Sequence, residues 1–348
     1  MKVSKKINSL RRQVMNSLTK NIGNSYPAAH LNSGVIPEIN RILISRPNHR
    51  LGNQLLTTPL VQEVIDTFPN CKIDLFVKGG VANAVFENYE NIDRVIQLPK
   101  KPFSHLIKYI FKWFALKKRS YDLVINGDKD SSSGKLATKL AKGKFKLFGD
   151  LNEAIQSEYD DYEHISKYPV YNLREYLALI GFPKNNKPVP TLNIKLSEKE
   201  LVKGKTVLKE LVHNEKPTIC IYTNATGDKC YDEVWWTQLY NQLLKDFPKY
   251  NVIELLPIEN LSRINFVAPN LYSKDVREMC ALLANAAIFI TADNGVMHLA
   301  SAAQIPVVGF FKITNLEKYG PYGNKSVAYN TNETNLNDWL KGIHNILG

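Results

Sequence analysis

Cysteine is scarce: four residues, at 71, 220, 230 and 280, show none of the paired spacing that a metal knuckle or a disulfide framework requires. No apolar run approaches the roughly 20 residues needed to span a bilayer, and nothing resembles the apolar core of a signal peptide. Short repeats and low-complexity tracts are absent too, which excludes solenoids and compositionally biased chains. Together these absences predict a reduced, cytoplasmic globular protein whose contact with membranes is at most peripheral.

Acidic residues are missing from two stretches of an otherwise balanced chain. Residues 1–37 carry Lys2, Lys5, Lys6, Arg11, Arg12 and Lys20, and residues 95–121 carry Lys100, Lys101, Lys108, Lys112, Lys117, Lys118 and Arg119, with no Asp or Glu in either. These cations account for the formal net charge of +12, because the remaining charges nearly cancel. So localised an excess argues against a general nucleic-acid binder and for a confined anionic partner.

What is present is a hydrophobic fraction of 44% over 348 residues, enough for two domains of ordinary size. In the first forty residues Ile7, Leu10, Val14 and Leu18 recur at helical spacing before Asn, Gly, Ser and Pro break the pattern, so 1–38 reads as a basic extension. Strands are then predicted at 41–45, 72–77, 92–98, 123–126 and 145–148, alternating with helices at 59–68, 81–89, 103–116 and 134–141. After a helix at 172–180, the polar, proline-bearing stretch 184–190 reads as a linker. Alternation restarts with strands at 218–223, 252–256 and 287–291 and helices at 233–247, 276–286 and 335–347. This pattern predicts an α/β protein of two doubly wound, Rossmann-like domains, 39–186 and 187–330, facing a central cleft.

The stretch 287–311 is the richest in chemistry. A buried strand runs into Asp293, Asn294 and Gly295, an Ala-rich helix follows, and Pro306 precedes another strand. A helix starting at a strand's carboxyl end aims free N–H groups and a positive dipole end at the crevice, as an anion site does. Asp293 then suits sugar or ribose hydroxyls, and His298 falls in the first turn. Asp or Asn before a helix also serves simply as an N-cap, and an early helical His also simply packs. In the first half the strand 41–45 runs into RPNHRLGN at 46–53. There Gly52 permits a tight backbone and Arg46 and Arg50 suit anionic groups, while Asn53 as a helix cap and Thr58-Pro59 as a helix start are the plainer alternatives.

The RPNHRLGN loop, Lys229 before the Trp235-Trp236 helix, and DNGVMH at 293–298 occur in one order, and in that order the chain resembles glycosyltransferase family 9, the heptosyltransferase-like enzymes of lipopolysaccharide core assembly, from about residue 39 onward. The resemblance implies a GT-B fold, an acceptor in the first domain held by the loop of Arg46, Arg50 and Gly52, a nucleotide-sugar donor in the second, and no required metal or other cofactor. It implies that Asp293 and Asn294 hold donor hydroxyls and the loop, that the N–H groups of Gly295 and Val296 meet the diphosphate, and that His298 supports them. Lys229, with Thr226 in the same loop, would contact phosphate. The closing helix, 331–348, would pack back towards the first domain. Without the resemblance Lys229 reads as a solvated lysine, and Trp235 and Trp236 read as packing residues.

One position departs from the family. Where heptosyltransferases carry a catalytic aspartate after the loop glycine, this chain has Asn53, and an amide does not accept a proton from an attacking hydroxyl at neutral pH. Asp128 and Asp130, beyond the fourth strand, and His49 are the substitute bases to test. The reading is an inverting transfer of a heptose or similar sugar from a nucleotide sugar to a lipid-linked saccharide. A GT-B nucleotide-sugar epimerase and a non-catalytic carbohydrate-binding homologue are the alternatives. On a helical wheel Lys101, His105, Lys108, Lys112 and Arg119 share one face, with Leu106, Ile110, Trp113 and Phe114 on the face expected to pack on the sheet. The cationic face, with residues 1–20, is expected to contact anionic membrane at the cytoplasmic face of the inner membrane.

Overall fold

A computed structural model describes residues 36–100, 106–150 and 156–348, together with Ser17, Thr19 and Ile22. The helix expected near the amino terminus and its cations, with Lys101 and His105, lie outside the described residues. The chain divides into two compact units. One holds most residues to Pro190; the other holds Thr191–Gly348 with Arg50–Thr58 and Ala84–Asn88. The change-over at Pro190 falls slightly beyond the expected 186.

The first unit carries β1 (Arg41–Arg46), β2 (Lys72–Lys78), β3 (Ile92–Leu98), β4 (Ser120–Asn126) and β5 (Lys142–Leu147) in the order β3-β2-β1-β4-β5. All pairings are parallel, as crossovers through helices require. β1 and β2 are buried along almost their whole length, which explains the apolar runs Ile42–Ile44 and Leu75–Val77. The linker is pinned to this unit. Arg174 makes a buried bidentate pair with Glu63, at 2.8 and 2.7 Å, and donates to Lys187 O, while Asn185 donates to Glu63.

The second unit has six parallel strands, β6 (Thr218–Tyr222), β7 (Asn251–Leu256), β8 (Asn270–Tyr272), β9 (Ile288–Ala292), β10 (Val307–Phe311) and β11 (Val327–Asn330), in the order β11-β10-β9-β6-β7-β8. The short edge strands β8 and β11 and the helix Glu198–Val212 were not expected from the sequence. That helix opens with a Ser197–Glu200 capping box, each side chain bonding the other residue's backbone N–H.

The closing helix, Leu336–Leu347, lays its apolar stripe into the second unit. Trp339, Leu340 and Ile343 join Trp236, Leu239 and Ile288 in the second unit's own core. Burial of each is worth about 1.5–3 kcal/mol, so the stripe is committed there. The packed face of the helix Leu106–Phe114 corrects one expectation: Trp113 lies on the sheet's cluster as expected, joined by Tyr109 and Leu116, while Ile110 and Phe114, expected inside, are exposed.

Candidate functional site

In each sheet the strand order reverses once, between β1 and β4 in the first unit and between β6 and β9 in the second. At such a reversal two loops leave adjacent strands in opposite directions and open a crevice at the carboxyl ends. Both reversals here are spanned by a cation–carboxylate pair.

In the second unit the loop after β6 makes a short 3-10 turn, Gly227–Lys229, and the Lys229 ammonium pairs with the Asp293 carboxylate just beyond β9. Lys229 is 33% exposed and Asp293 8%, so the carboxylate is set into the fold and the ammonium reaches outward. Asp293 is held by its N–H to Phe310 O at 3.0 Å. Asn294 sews the two loops together, donating to Thr291 Oγ1 at 2.8 Å, Ala292 O at 2.8 Å and Asn224 O at 3.2 Å. Its Oδ1 accepts from Val296 and Met297 N–H at 2.8 and 3.0 Å, capping the helix Gly295–Ala302. The Val296 N–H, expected to meet a ligand, is engaged by this cap. The Gly295 N–H is outside that cap.

His298 is buried in the same helix. The turn Leu51–Leu55 packs on it: a Cβ added at Gly52 would lie 3.0 Å from His298 Cδ2 and 3.3 Å from Gly295 Cα. Gly52, expected to line an acceptor site, permits this close approach. Arg50 is the exposed N-cap residue of the turn, Asn53 is half-buried with its carbonyl accepting from Thr57 Oγ1 at 2.9 Å, and Thr58 and Pro59 do open the next helix, Thr58–Thr67. Thr226 is exposed ahead of the 3-10 turn.

In the first unit Arg46, at the end of β1, is buried rather than presented to an acceptor. Its Nη1 donates to Gly127 O at 2.6 Å and pairs with Asp128 Oδ2 at 3.3 Å. Asp128 Oδ1 accepts from Tyr168 Oη at 3.3 Å and from Asp130 N–H at 3.1 Å. Burial, with the Asp128 carboxylate adding to it, pushes the Tyr168 phenol up, so it stays protonated and donates. Asp128 keeps 20% exposure, enough to be reached. Asp130 and His49 are exposed in loops. Among the described residues no three His, Cys, Asp or Glu side chains gather as metal ligands would.

Sequence reasoning missed two neighbours of the second reversal. Glu254, fully buried in β7, accepts from Thr223 Oγ1 at 2.5 Å and Ser262 Oγ at 2.6 Å, and burial raises its pKa. It braces the base of the loop that carries Lys229, and the acid interrupting the apolar run VIELL was its signal. Lys312, just past β10, donates to Cys230 O at 2.8 Å beside the 3-10 turn, while its backbone carbonyl accepts from Asn332.

The family model of glycosyltransferase family 9 (heptosyltransferase) matches residues 112–342. The chain belongs to glycosyltransferase family 9. Lipopolysaccharide heptosyltransferase 3 of Escherichia coli is 21% identical over 311 residues, covering 80% of this chain and 85% of that one. Among solved structures, a family 9 glycosyltransferase of Veillonella parvula superposes with a TM-score of 0.65 at 16% identity, covering 89% and 90% of the two chains. The E. coli heptosyltransferase WaaC with ADP gives 0.65 at 20% identity, covering 88% and 99%. E. coli ADP-heptose lps heptosyltransferase II gives 0.61 at 16%, covering 88% and 98%. The fold is thus GT-B, two parallel-sheet α/β domains, and this family 9 protein is a glycosyltransferase.

Proposed function

We propose that this family 9 enzyme transfers a heptose or similar sugar, with inversion, from a nucleoside-diphosphate donor to a lipid-linked saccharide of the lipopolysaccharide type. The observation that carries the reading is the Lys229–Asp293 pair at the strand reversal of the second unit, beside the Asn294-capped helix. An ammonium has three donors, so Lys229 serves Asp293 and a phosphate oxygen together. Asp293 accepts from a donor hydroxyl, and Lys229 with the Gly295 N–H meets the charge that grows on the departing diphosphate. No step is routed through a metal ion. ADP, the nucleotide of the E. coli WaaC structure, is the first donor nucleotide to test.

For the base we choose Asp128. Its carboxylate is part-buried and oriented from two sides, by Arg46 and Tyr168, whereas Asp130 and His49 are exposed and Asn53 has no proton-accepting nitrogen or carboxylate. Arg46 and Tyr168 are positioning residues in this scheme, and Asn53 orients the acceptor. A lipid-linked acceptor makes the anionic cytoplasmic face of the inner membrane the place of work, reached through the basic stretches 1–20 and 100–119. Among the described residues no helix is long and apolar enough to cross a bilayer.

The test is release of ADP from ADP-heptose with and without membrane glycolipid. Acceptor-dependent release is expected. Asp128→Asn should lower kcat by about 100-fold or more while Asp130→Asn stays within about twofold. Release that ignores the acceptor, or an undiminished Asp128→Asn enzyme, refutes the transfer or the base respectively.

A further inference from the structure

The helix Leu106–Phe114 carries two adjoining apolar faces, and among the described residues only one of them is packed. Tyr109 and Trp113, followed by Leu116, lie on the sheet of the first unit. Ile107, Ile110, Phe111 and Phe114, spaced i, i+3, i+4, i+7, form a continuous stripe on the other face, where Ile107 is 73% and Phe111 68% exposed. Bulky apolar side chains collected on one exposed helical face mark an interaction site, whereas scattered ones do not. The charges around the stripe name the partner. Lys112 flanks it, Lys117 and Lys118 follow it on the surface, and no acid occurs between residues 95 and 121. Arg119, by contrast, is held by Asp74 and Asp93 and is not part of this surface.

We infer that this stripe is an interfacial docking face. Ile107, Ile110, Phe111 and Phe114 enter the headgroup and acyl boundary of an anionic lipid surface, and Lys112, Lys117 and Lys118 rest among its headgroups. The chemistry is that of an in-plane amphipathic helix, with apolar burial and anionic attraction acting together. A globular protein partner would place acids or a second apolar face here, and an all-cationic rim around aromatic and aliphatic side chains complements lipid instead. The inference rests on the lipid-linked acceptor proposed above and sharpens it. The membrane is met by an apolar wedge as well as by basic charge.

The experiment is flotation of the full chain with vesicles of phosphatidylcholine alone or with about 30% phosphatidylglycerol. The wild type should float with anionic vesicles, and the Phe111→Ser/Phe114→Ser double variant should lose about tenfold or more of that binding, at high salt as well as low. Lys117→Gln/Lys118→Gln should weaken binding chiefly at low salt. Both variants change exposed positions, so thermal unfolding and turnover on a delipidated, soluble saccharide acceptor should match the wild type. Unchanged flotation of the double Phe variant overturns the inference in favour of contact by the basic amino-terminal stretch. A wild-type dimer that the same variant converts to a monomer, without lipid binding, overturns it in favour of a second copy. Loss of flotation in a protein that turns over no nucleotide sugar leaves the docking face standing and removes the transferase reading.

Discussion

At Lys229 a single ammonium faces a buried carboxylate and, in the proposed reaction, a diphosphate. Lys229→Ala should lower kcat by about 100- to 1000-fold through loss of leaving-group stabilisation. It also strands Asp293, 8% exposed, without its counter-ion, which should cost about 1–2 kcal/mol, less than a fully buried pair because the lysine is partly solvated. Lys229→Ala with Asp293→Asn should regain most of that stability and none of the activity, as urea denaturation and steady-state kinetics would show. A double variant as active as the wild type would end the phosphate role of Lys229. The place of Asp293 was legible in sequence because a polar residue directly after a buried strand lies at the sheet's edge, whereas Lys229, seven residues beyond β6, stood out only through the family resemblance. The place of Arg46 was not legible: it is itself the last residue of β1, and whether such a side chain points out or into the fold depends on Asp128, distant in sequence. Nor does a DNG sequence reveal that the Asn294 side chain claims the Val296 and Met297 N–H groups before any ligand can.

Two short elements, the turn Leu51–Leu55 and the helix Gly295–Ala302, approach each other through glycines, and their contact sets the first turn of the donor-side helix. Each glycine matters by the absence of a side chain: a Cβ at Gly295 would sit 3.3 Å from Gly52 N, and one at Gly52 would press on the His298 ring. Gly52→Val should therefore push the two apart, at a cost of about 1–3 kcal/mol, and raise KM for the donor more than it lowers kcat. Donor titration of the variant would check this, and an unchanged KM would show that the contact is structural only. Elements with one clear apolar periodicity were read correctly, as the closing helix was in length and stripe. The helix Leu106–Phe114 misled because the apolar arc of LIKYIFKWF, opposite Lys108 and Lys112, is wide enough to hold two faces, so spacing predicts a helix without choosing which of them packs. The helix Glu198–Val212 went unread although its capping box stood in the sequence. It buries little beyond Gly204 and Leu208, and its apolar signal is correspondingly weak.

The second unit of the molecule is not continuous in the chain, and Arg277 shows what holds its pieces together. From the helix Val276–Leu283 its guanidinium donates to Ala84 O at 2.8 Å, Ile194 O at 3.3 Å and Lys195 O at 3.1 Å, and makes a two-point pair with Glu200. The Arg277 hydrogen bond holds the Glu200 carboxyl at about 2, against an ordinary value of 4.5, with the Ser197 contacts adding to it. A carboxyl depressed on folding stabilises fully above its unfolded value and loses that contribution as pH falls towards its folded one. The stabilisation should thus be complete above pH 4.5 and decline from there to about pH 2. Glu200→Gln isolates the effect, because glutamine can still close the capping box while the charge is removed. At neutral pH the variant should be less stable by on the order of 2 kcal/mol, allowing for partial solvation, and the two proteins should converge as the pH approaches 2. Urea denaturation of both across that window measures the difference directly. A gap that stayed constant with pH would assign the loss to packing and leave the Arg277–Glu200 charge pair without a part in joining the segments.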